Sequence, residues 1–394
     1  MSFHFVATTS KGLEPVLAEE LRSFGIGVDA VGRGVVYFVG KLDAGYRACL
    51  WSRIASRVIL RVGRGRVDSP DAIYELASGV DWSEHIAPHQ TLLVDFVGRG
   101  KGISNAVFGA QRVKDAIVDD VRTESGQRPD IDFDRPDVRV SAHLNRGSMT
   151  LGIDLSGSAL HKRGKGRLAV QAPLKESLAA AMLYMAKWPE LSRKGVPLYD
   201  PMCGSGTFLR EALGIAQDRA PGLDRQRWGF TKWKGHRPEV WDRLRLEAQE
   251  RSKKGKQRQV HLFGRDRDPK AIEATRENLR QSGGEKGVSL EVGLISDARP
   301  PRAKGTTPEG VLVCNPPYGR RLEDEEGARA LHRELGSVMR RHFLGWTGFV
   351  ITAHGPMAKA VGLRPSQRIP VFNGPIDCRV LEFEISRKKV ARDL

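Results

Sequence analysis

The sequence predicts an α/β protein in two parts: a mostly parallel sheet in the second part of the chain, preceded by an α+β region. From Val196 onward, short apolar strands alternate with helix-length segments, the pattern of parallel strands joined by crossovers. Before that, strand and helix signals come in smaller groups and end in a hairpin signature. The 394 residues are 40% hydrophobic and 28% charged, a globular composition that excludes collagen-like, disordered and disulfide-scaffold classes. At about 150 residues per domain, two or three domains are expected.

The α+β region opens with a strand at Phe3-His-Phe-Val-Ala-Thr-Thr. A helix over Glu14 to Phe24 follows, with Val16, Leu17, Leu21 and Phe24 on one face before Gly25 and Gly27. Gly34 to Gly40 reads as a strand, Ala44 to Ile54 as a helix, and Val58 to Val62 as the strand that closes a first unit. After the Gly63-Arg-Gly-Arg66 punctuation come a helix at Asp71 to Ser78, a strand at Thr91 to Val97 and a long helix from Ser104 to Thr123. Strands Asp137 to Leu144 and Ser148 to Leu155 meet at Asn145-Arg-Gly147, a hairpin turn by composition. The second part has strands at Val196 to Tyr199, Val260 to Gly264, Val288 to Val292, Gly310 to Cys314 and Gly348 to Ala353. A hairpin-like pair, Ile369 to Phe372 and Arg379 to Ile385, ends it.

The four cysteines (Cys49, Cys203, Cys314, Cys378) form no CxxC pair and follow no secretory leader, so free thiols in a reducing, cytoplasmic setting are expected and no metal site is predicted. The longest apolar run near a helix pattern, Leu178 to Ala186, is far shorter than the roughly 18 residues of a membrane span. No membrane association is therefore expected. Lys and Arg total 64 against 47 Asp and Glu, a net charge of +17 that points to nucleic acid. Residues 1–160 hold 19 basic and 20 acidic side chains, so the excess lies entirely after residue 160.

The sharpest motif is Tyr199-Asp-Pro-Met-Cys-Gly-Ser-Gly-Thr-Phe-Leu-Arg-Glu-Ala212, which runs from strand into helix through glycines. Gly204 and Gly206 clear side chains where a ligand must approach the backbone, at the carboxyl end of the first parallel strand. No Lys follows Gly206, so this is not a phosphate-gripping loop; a phosphate-free nucleoside cofactor fits better. At the next strand end, Gly264-Arg-Asp-Arg-Asp-Pro269 offers Asp266 as an acceptor for a ribose diol, with Asp268 capping the helix that starts at Pro269. Ser296-Asp-Ala298 offers Asp297 as an acceptor for the amino group of an adenine. Then comes Val311-Leu-Val-Cys-Asn-Pro-Pro-Tyr-Gly319. The prolines fix an extended backbone, so the Asn315 side chain and the carbonyls of Asn315 and Pro316 can receive an NH₂ group, and Tyr318 offers a face for a flipped-out base.

On these motifs the chain resembles class I S-adenosylmethionine-dependent methyltransferases of the amino-methylating type. It is most similar to bacterial THUMP-domain 23S ribosomal RNA guanine-N2 methyltransferases, over nearly its whole length. Supporting segments are Ala7-Thr-Thr-Ser-Lys-Gly-Leu-Glu-Pro15, Ser104 to Val118, Leu160-His-Lys-Arg-Gly164, Ala172-Pro-Leu-Lys-Glu176 and the Trp-bearing Arg227 to Trp233. The loop 161–167 departs from the family, with Lys165-Gly166 where an aromatic and a basic residue are expected. The resemblance implies a ferredoxin-like domain (1–64), a THUMP RNA-binding domain (65–160) and a Rossmann-like, seven-stranded methyltransferase domain (161–394). It implies S-adenosyl-L-methionine as cofactor, lined by Asp200, Gly204, Ser205, Gly206, Thr207, Asp266 and Asp297, with 171–176 closing over its methionine end. Asn315, Pro316, Pro317 and Tyr318 carry the target-base role. The amine attacks the sulfonium methyl in line, oriented by the Asn315 side chain and the Pro316 carbonyl, with no strong general base.

The implied partner is ribosomal RNA, 23S or its assembly intermediate, with a monomer as the default oligomeric state. Alternatives are a tRNA guanine-N2 methyltransferase, an N6-adenine DNA methylase, and a ribosome-assembly factor that binds RNA without turnover. Trp228, Trp233 and Trp241 are interleaved with Arg225, Arg227, Lys232, Lys234 and Arg237, which suits RNA contact; a covering flap with core tryptophans is the competing reading. The basic loop 161–167 reads either as an RNA contact or as a solvated linker. Cys203 and Cys314 read as small packing residues.

Overall fold

A computed structural model describes residues 2–103, 105–163, 174–301, 308–318, 322–353 and 355–386, the side chains of 124, 125 and 322–324 excepted. The chain divides into two compact units, one of residues 1–9, 21–162 and 224–247, the other of residues 10–20, 163–223 and 248–394.

The first unit is built on strands β1 (Phe3–Thr8), β2 (Val28–Gly32), β3 (Val35–Gly40), β4 (Arg57–Arg66), β5 (Thr91–Gly98), β6 (Asp130–Ile131), β7 (Val138–Asn145) and β8 (Ser148–Asp154). They form one sheet in the order β2-β3-β1-β4-β8-β7-β5-β6. Helices α1 (Glu14–Ser23), α2 (Leu42–Trp51), α3 (Pro70–Ser78) and α4 (Ala106–Ser125) accompany these strands in the chain, α1 spanning the division at residue 20. Antiparallel pairing of β4 with β8, from Ile59↔Asp154 to Arg66↔Ser148, makes the sheet continuous across residues 64 and 65. The Gly63-Arg-Gly-Arg66 stretch is therefore strand, not punctuation. Its glycines serve close packing: a Cβ on Gly65 would lie 2.6 Å from Leu76 Cδ1 of α3. The hairpin at Asn145 to Gly147 forms as expected, with positive φ at Arg146 (50°) and Gly147 (74°), the twist a two-residue turn requires.

Residues 224–247 belong to this first unit, and their aromatics are core. Trp228, Trp233 and Trp241 are 5%, 5% and 8% exposed, which favours the flap reading over direct base contact. Trp228 stacks on Phe230 at 5.6 Å, Trp241 meets both edge-on, and Tyr46 of α2 packs on Phe230 at 4.4 Å. The Tyr46 hydroxyl hydrogen-bonds His236 Nδ1 at 2.6 Å and accepts from the Arg237 N–H at 3.1 Å. Arg225 lies 4.8 Å over the Trp228 ring and donates to the carbonyls of Ser156, Ser158 and Ala159.

The second unit contains α5 (Glu176–Met185), α6 (Trp188–Leu191), α7 (Thr207–Ala216), part of α8 (Pro238–Gly255), α9 (Pro269–Gln281), α10 (Leu322–His342) and α11 (Pro356–Ala360). Its strands are β9 (Leu198–Asp200), β10 (Leu262–Asp266), β11 (Val288–Val292), β12 (Val311–Cys314), β13 (Thr347–Ala353), β14 (Gln367–Asn373) and β15 (Ile376–Glu384). They form the seven-stranded sheet that the sequence predicts, in the order β11-β10-β9-β12-β13-β15-β14. The first five are parallel; β14 and β15 form an antiparallel hairpin on β13. All four residues of β12 are buried, as the two covered faces of a parallel sheet demand. One core cluster gathers Tyr199, Leu312, Phe343, Trp346 and Phe383. The four cysteines are free and buried. Among the described residues no helix is long and apolar enough to cross a membrane.

Candidate active site

Strand order brings the motifs together. Asp200 ends β9, Asp266 ends the neighbouring β10, Asp297 follows β11, and Asn315 follows β12, so all four stand at the carboxyl ends of adjacent parallel strands. That edge is where ligands bind in open α/β sheets, because the chain reverses its direction of winding there. Asp297 is exposed and lies in a short 3-10 turn, its carboxylate accepting from the Ser296 hydroxyl at 3.4 Å.

The glycine loop is held from outside. Gly204 (φ 56°) donates its N–H to Asp266 Oδ2 at 2.9 Å, while the other Asp266 oxygen accepts from the Asp268 N–H at 3.0 Å. Asp268 caps α9 by accepting from the Lys270 N–H, as the Asp-Pro start implies. Two buried residues of α9, unmarked by any motif, complete the frame: the Thr275 hydroxyl donates to the Gly204 carbonyl at 2.7 Å and the Asn278 amide to the Ser205 carbonyl at 3.0 Å. Their three-residue spacing puts them on one helix face, a signal visible only once Asp268 fixes the start of α9. Gly206 (φ 76°) sits so close to Thr275 that a Cβ there would lie 2.7 Å from its methyl. With Gly206 at the N-cap, no side chain caps α7.

Asp200 is 1% exposed. Its carboxylate accepts the Met202 N–H at 3.2 Å, and among the described residues it has no cationic partner. Burial raises its pKa well above the ordinary carboxylate range, and the like charge of Asp266 raises it further. The same burial, with Asp200 and Asp266 nearby, pushes the Cys203 and Cys314 thiols up, so both are neutral packing groups. Ser205 and Thr207 are buried in the loop and the first turn of α7. A buried carboxylate facing only negative charge calls for a cationic ligand. A sulfonium nucleoside that also carries an ammonium group meets this demand, and the residues at this edge fit such a cofactor.

Arg265, also absent from the motif reading, is 6% exposed and bonds Tyr199 Oη (3.1 Å), the Leu294 carbonyl (3.2 Å) and Glu291 (2.6 Å). It thus ties the turn that carries Asp297 to β9. Consecutive residues of α7 meet opposite charges, Arg210 with Glu176 and Glu211 with Arg163, each at 3.4 Å. Of the expected segment 171–176, residues 171–173 lie outside the described residues, as do residues 164–167 of the basic loop.

At the fourth strand end, Asn315 is half-buried, Pro316 buried and Pro317 exposed. The Tyr318 hydroxyl donates to Asn315 Oδ1 at 2.5 Å. Burial drives the Tyr318 phenol far above its ordinary pKa, so it remains a neutral donor. The hydroxyl occupies one lone pair of the Asn315 amide oxygen and leaves the second for another donor.

Comparison with known proteins agrees with this layout. A family described as RMKL-like, methyltransferase domain, matches residues 163–382; an RlmL ferredoxin-like domain matches 4–59 and a THUMP domain 67–154. Ribosomal RNA large subunit methyltransferase K/L of Syntrophotalea carbinolica is 44% identical over 98% of this chain and 54% of its own length. The chain spans about half the length of the curated relatives it matches. A crystal structure from Listeria monocytogenes, described as a predicted N6-adenine-specific DNA methylase, is 30% identical with a TM-score of 0.85, over 97% of this chain and 96% of that one. The protein SMU.472, described as a methyltransferase and solved with SAH, is 28% identical with a TM-score of 0.86, over 98% and 99% of the two chains. With the family match covering more than half of its residues, this chain belongs to the RMKL-like methyltransferase-domain family.

Proposed function

We propose that the chain is an S-adenosylmethionine-dependent RNA methyltransferase that methylates the exocyclic N2 amine of a guanine in 23S ribosomal RNA, acting in the cytoplasm. The observation that carries the reading is the buried, cation-less Asp200 beside a glycine loop tied to Asp266, one strand from the Asn315-Pro-Pro-Tyr318 turn. The THUMP match and the ribosomal relatives support RNA as substrate, and the SAH complex of a similar protein supports the cofactor.

S-adenosylmethionine, when bound, supplies a methyl group on a positively charged sulfur. Asp200 and Asp266 give its binding edge a negative field; in this reading Asp266 accepts from the ribose diol and Asp297 from the adenine amine. The free lone pair of the Asn315 amide oxygen and the Pro316 carbonyl accept the N–H groups of the incoming amine, turning its nitrogen toward the methyl. Tyr318, locked to Asn315 through its hydroxyl, presents its ring for stacking. No residue of the turn is needed as a strong base.

Mass-spectrometric mapping of methylated guanines in 23S RNA from cells with and without the gene tests this reading. One N2-methylguanine should vanish with the gene. An unchanged 23S map with a loss in transfer RNA would favour the transfer-RNA alternative.

A further inference from the structure

The N-terminal segment 10–20 belongs to the catalytic unit. Gly12 (φ 89°) lies against β14, where a Cβ would meet the Pro370 carbonyl oxygen at 2.0 Å. Its neighbour Lys11 is exposed, with Nζ 6.0 Å from the Phe372 ring centroid. From another element, Lys175 at the start of α5 reaches the same hairpin: its Cε is 3.9 Å from where a Cβ on Gly374 would stand. Between Phe372 and Gly374 stands Asn373, 8% exposed, whose side chain lies beside the Tyr318 hydroxyl. Two lysines thus stand at the hairpin turn next to the target-base residue.

Neither lysine has a carboxylate partner among the described residues. The acids closest in sequence are engaged elsewhere: Glu14 accepts the Gly12 N–H at 2.7 Å and Glu176 pairs with Arg210. We propose that Lys11 and Lys175 bind the RNA phosphates that flank the target nucleotide when its base is swung out toward Asn315 and Tyr318. This rests on the RNA-methyltransferase reading. Extruding a base turns the local backbone outward, and cations at the neighbouring hairpin turn hold it there by neutralising phosphates rather than by reading sequence.

The test measures binding of a protein-free 23S RNA transcript by the full chain against salt concentration, for wild type, Lys11→Gln, Lys175→Gln and the double variant, with SAH affinity measured in parallel. Each substitution should lower the slope of log K against log salt by about 1 and weaken RNA binding several-fold, and Lys11→Gln should leave SAH affinity within about twofold. Lys11→Arg and Lys175→Arg should restore the wild-type slope. Wild-type binding with an unchanged slope in the double variant would overturn the lysine assignment, and would be the outcome if the lysines meet an acidic protein instead. Wild type that binds SAH but no RNA would overturn the RNA reading and this proposal with it.

Discussion

Replacing Asp200 with Asn separates the stability of the fold from its function. The Asn side chain keeps the acceptor for the Met202 N–H but removes a buried charge that feels the like charge of Asp266. Because the folded-state pKa of Asp200 is raised, the folded protein holds that proton more tightly than the unfolded chain, and the stability Asp200 contributes falls as pH rises above 3.8. At neutral pH the charge is a burden without a ligand, and Asp200→Asn should stabilise the cofactor-free protein by about 1–3 kcal/mol, a rise of at least about 2 °C in melting temperature. The cost appears on binding. A charge-assisted hydrogen bond contributes about 1.5–3 kcal/mol, so S-adenosylmethionine should bind about 10- to 150-fold more weakly. Calorimetric titration and thermal unfolding with and without ligand read both effects. A variant that melts lower without ligand, or binds as tightly as wild type, would refute the reasoning.

Gly206→Ala should cost about 1–3 kcal/mol of stability, since positive φ and a Cβ 2.7 Å from Thr275 both oppose it, and it should weaken SAH binding; chemical denaturation and titration check this. Trp241→Ala should destabilise the first unit by about 3–5 kcal/mol by emptying its aromatic cluster, seen as a lower denaturant midpoint. Burial lowers the pKa of His236 and His85 below 6.5, so the folded protein resists protonation and their stabilising contribution, present above pH 6.5, is lost as pH falls. Unfolding free energy measured between pH 8 and pH 5 should therefore drop toward acid, and less steeply in His236→Gln.

The parallel sheet was readable because its strands are short apolar runs ending in polar residues and turn motifs, such as Asp200, Asp266 and Asn315. The Asn145 to Gly147 turn was readable because its residues accept positive φ. Other features were not. Strand β2 is mostly exposed and shows no buried alternation, so periodicity passes over it. Gly63 and Gly65 read as a break because the need for them, the close packing of Val80 and Leu76 on β4, lies in a different segment. The tryptophans of 224–247 sit among basic residues in sequence, and only packing against Tyr46 shows them to be core. The site's inner frame, Thr275, Asn278 and Arg265, consists of ordinary polar residues whose role comes from distances no spacing encodes. Lys11 escaped for the same reason: its segment leaves the unit that its neighbours in sequence build.

The most direct measurement is single-turnover methyl transfer to 23S RNA by Asn315→Ala, with SAH affinity measured on the same preparation. Loss of most turnover is expected, at least about a hundredfold if the amide supplies stabilisation on the scale of an oxyanion donor, with SAH affinity within a few fold of wild type. Full turnover in Asn315→Ala would contradict the claim that this turn grips the amine that receives the methyl group.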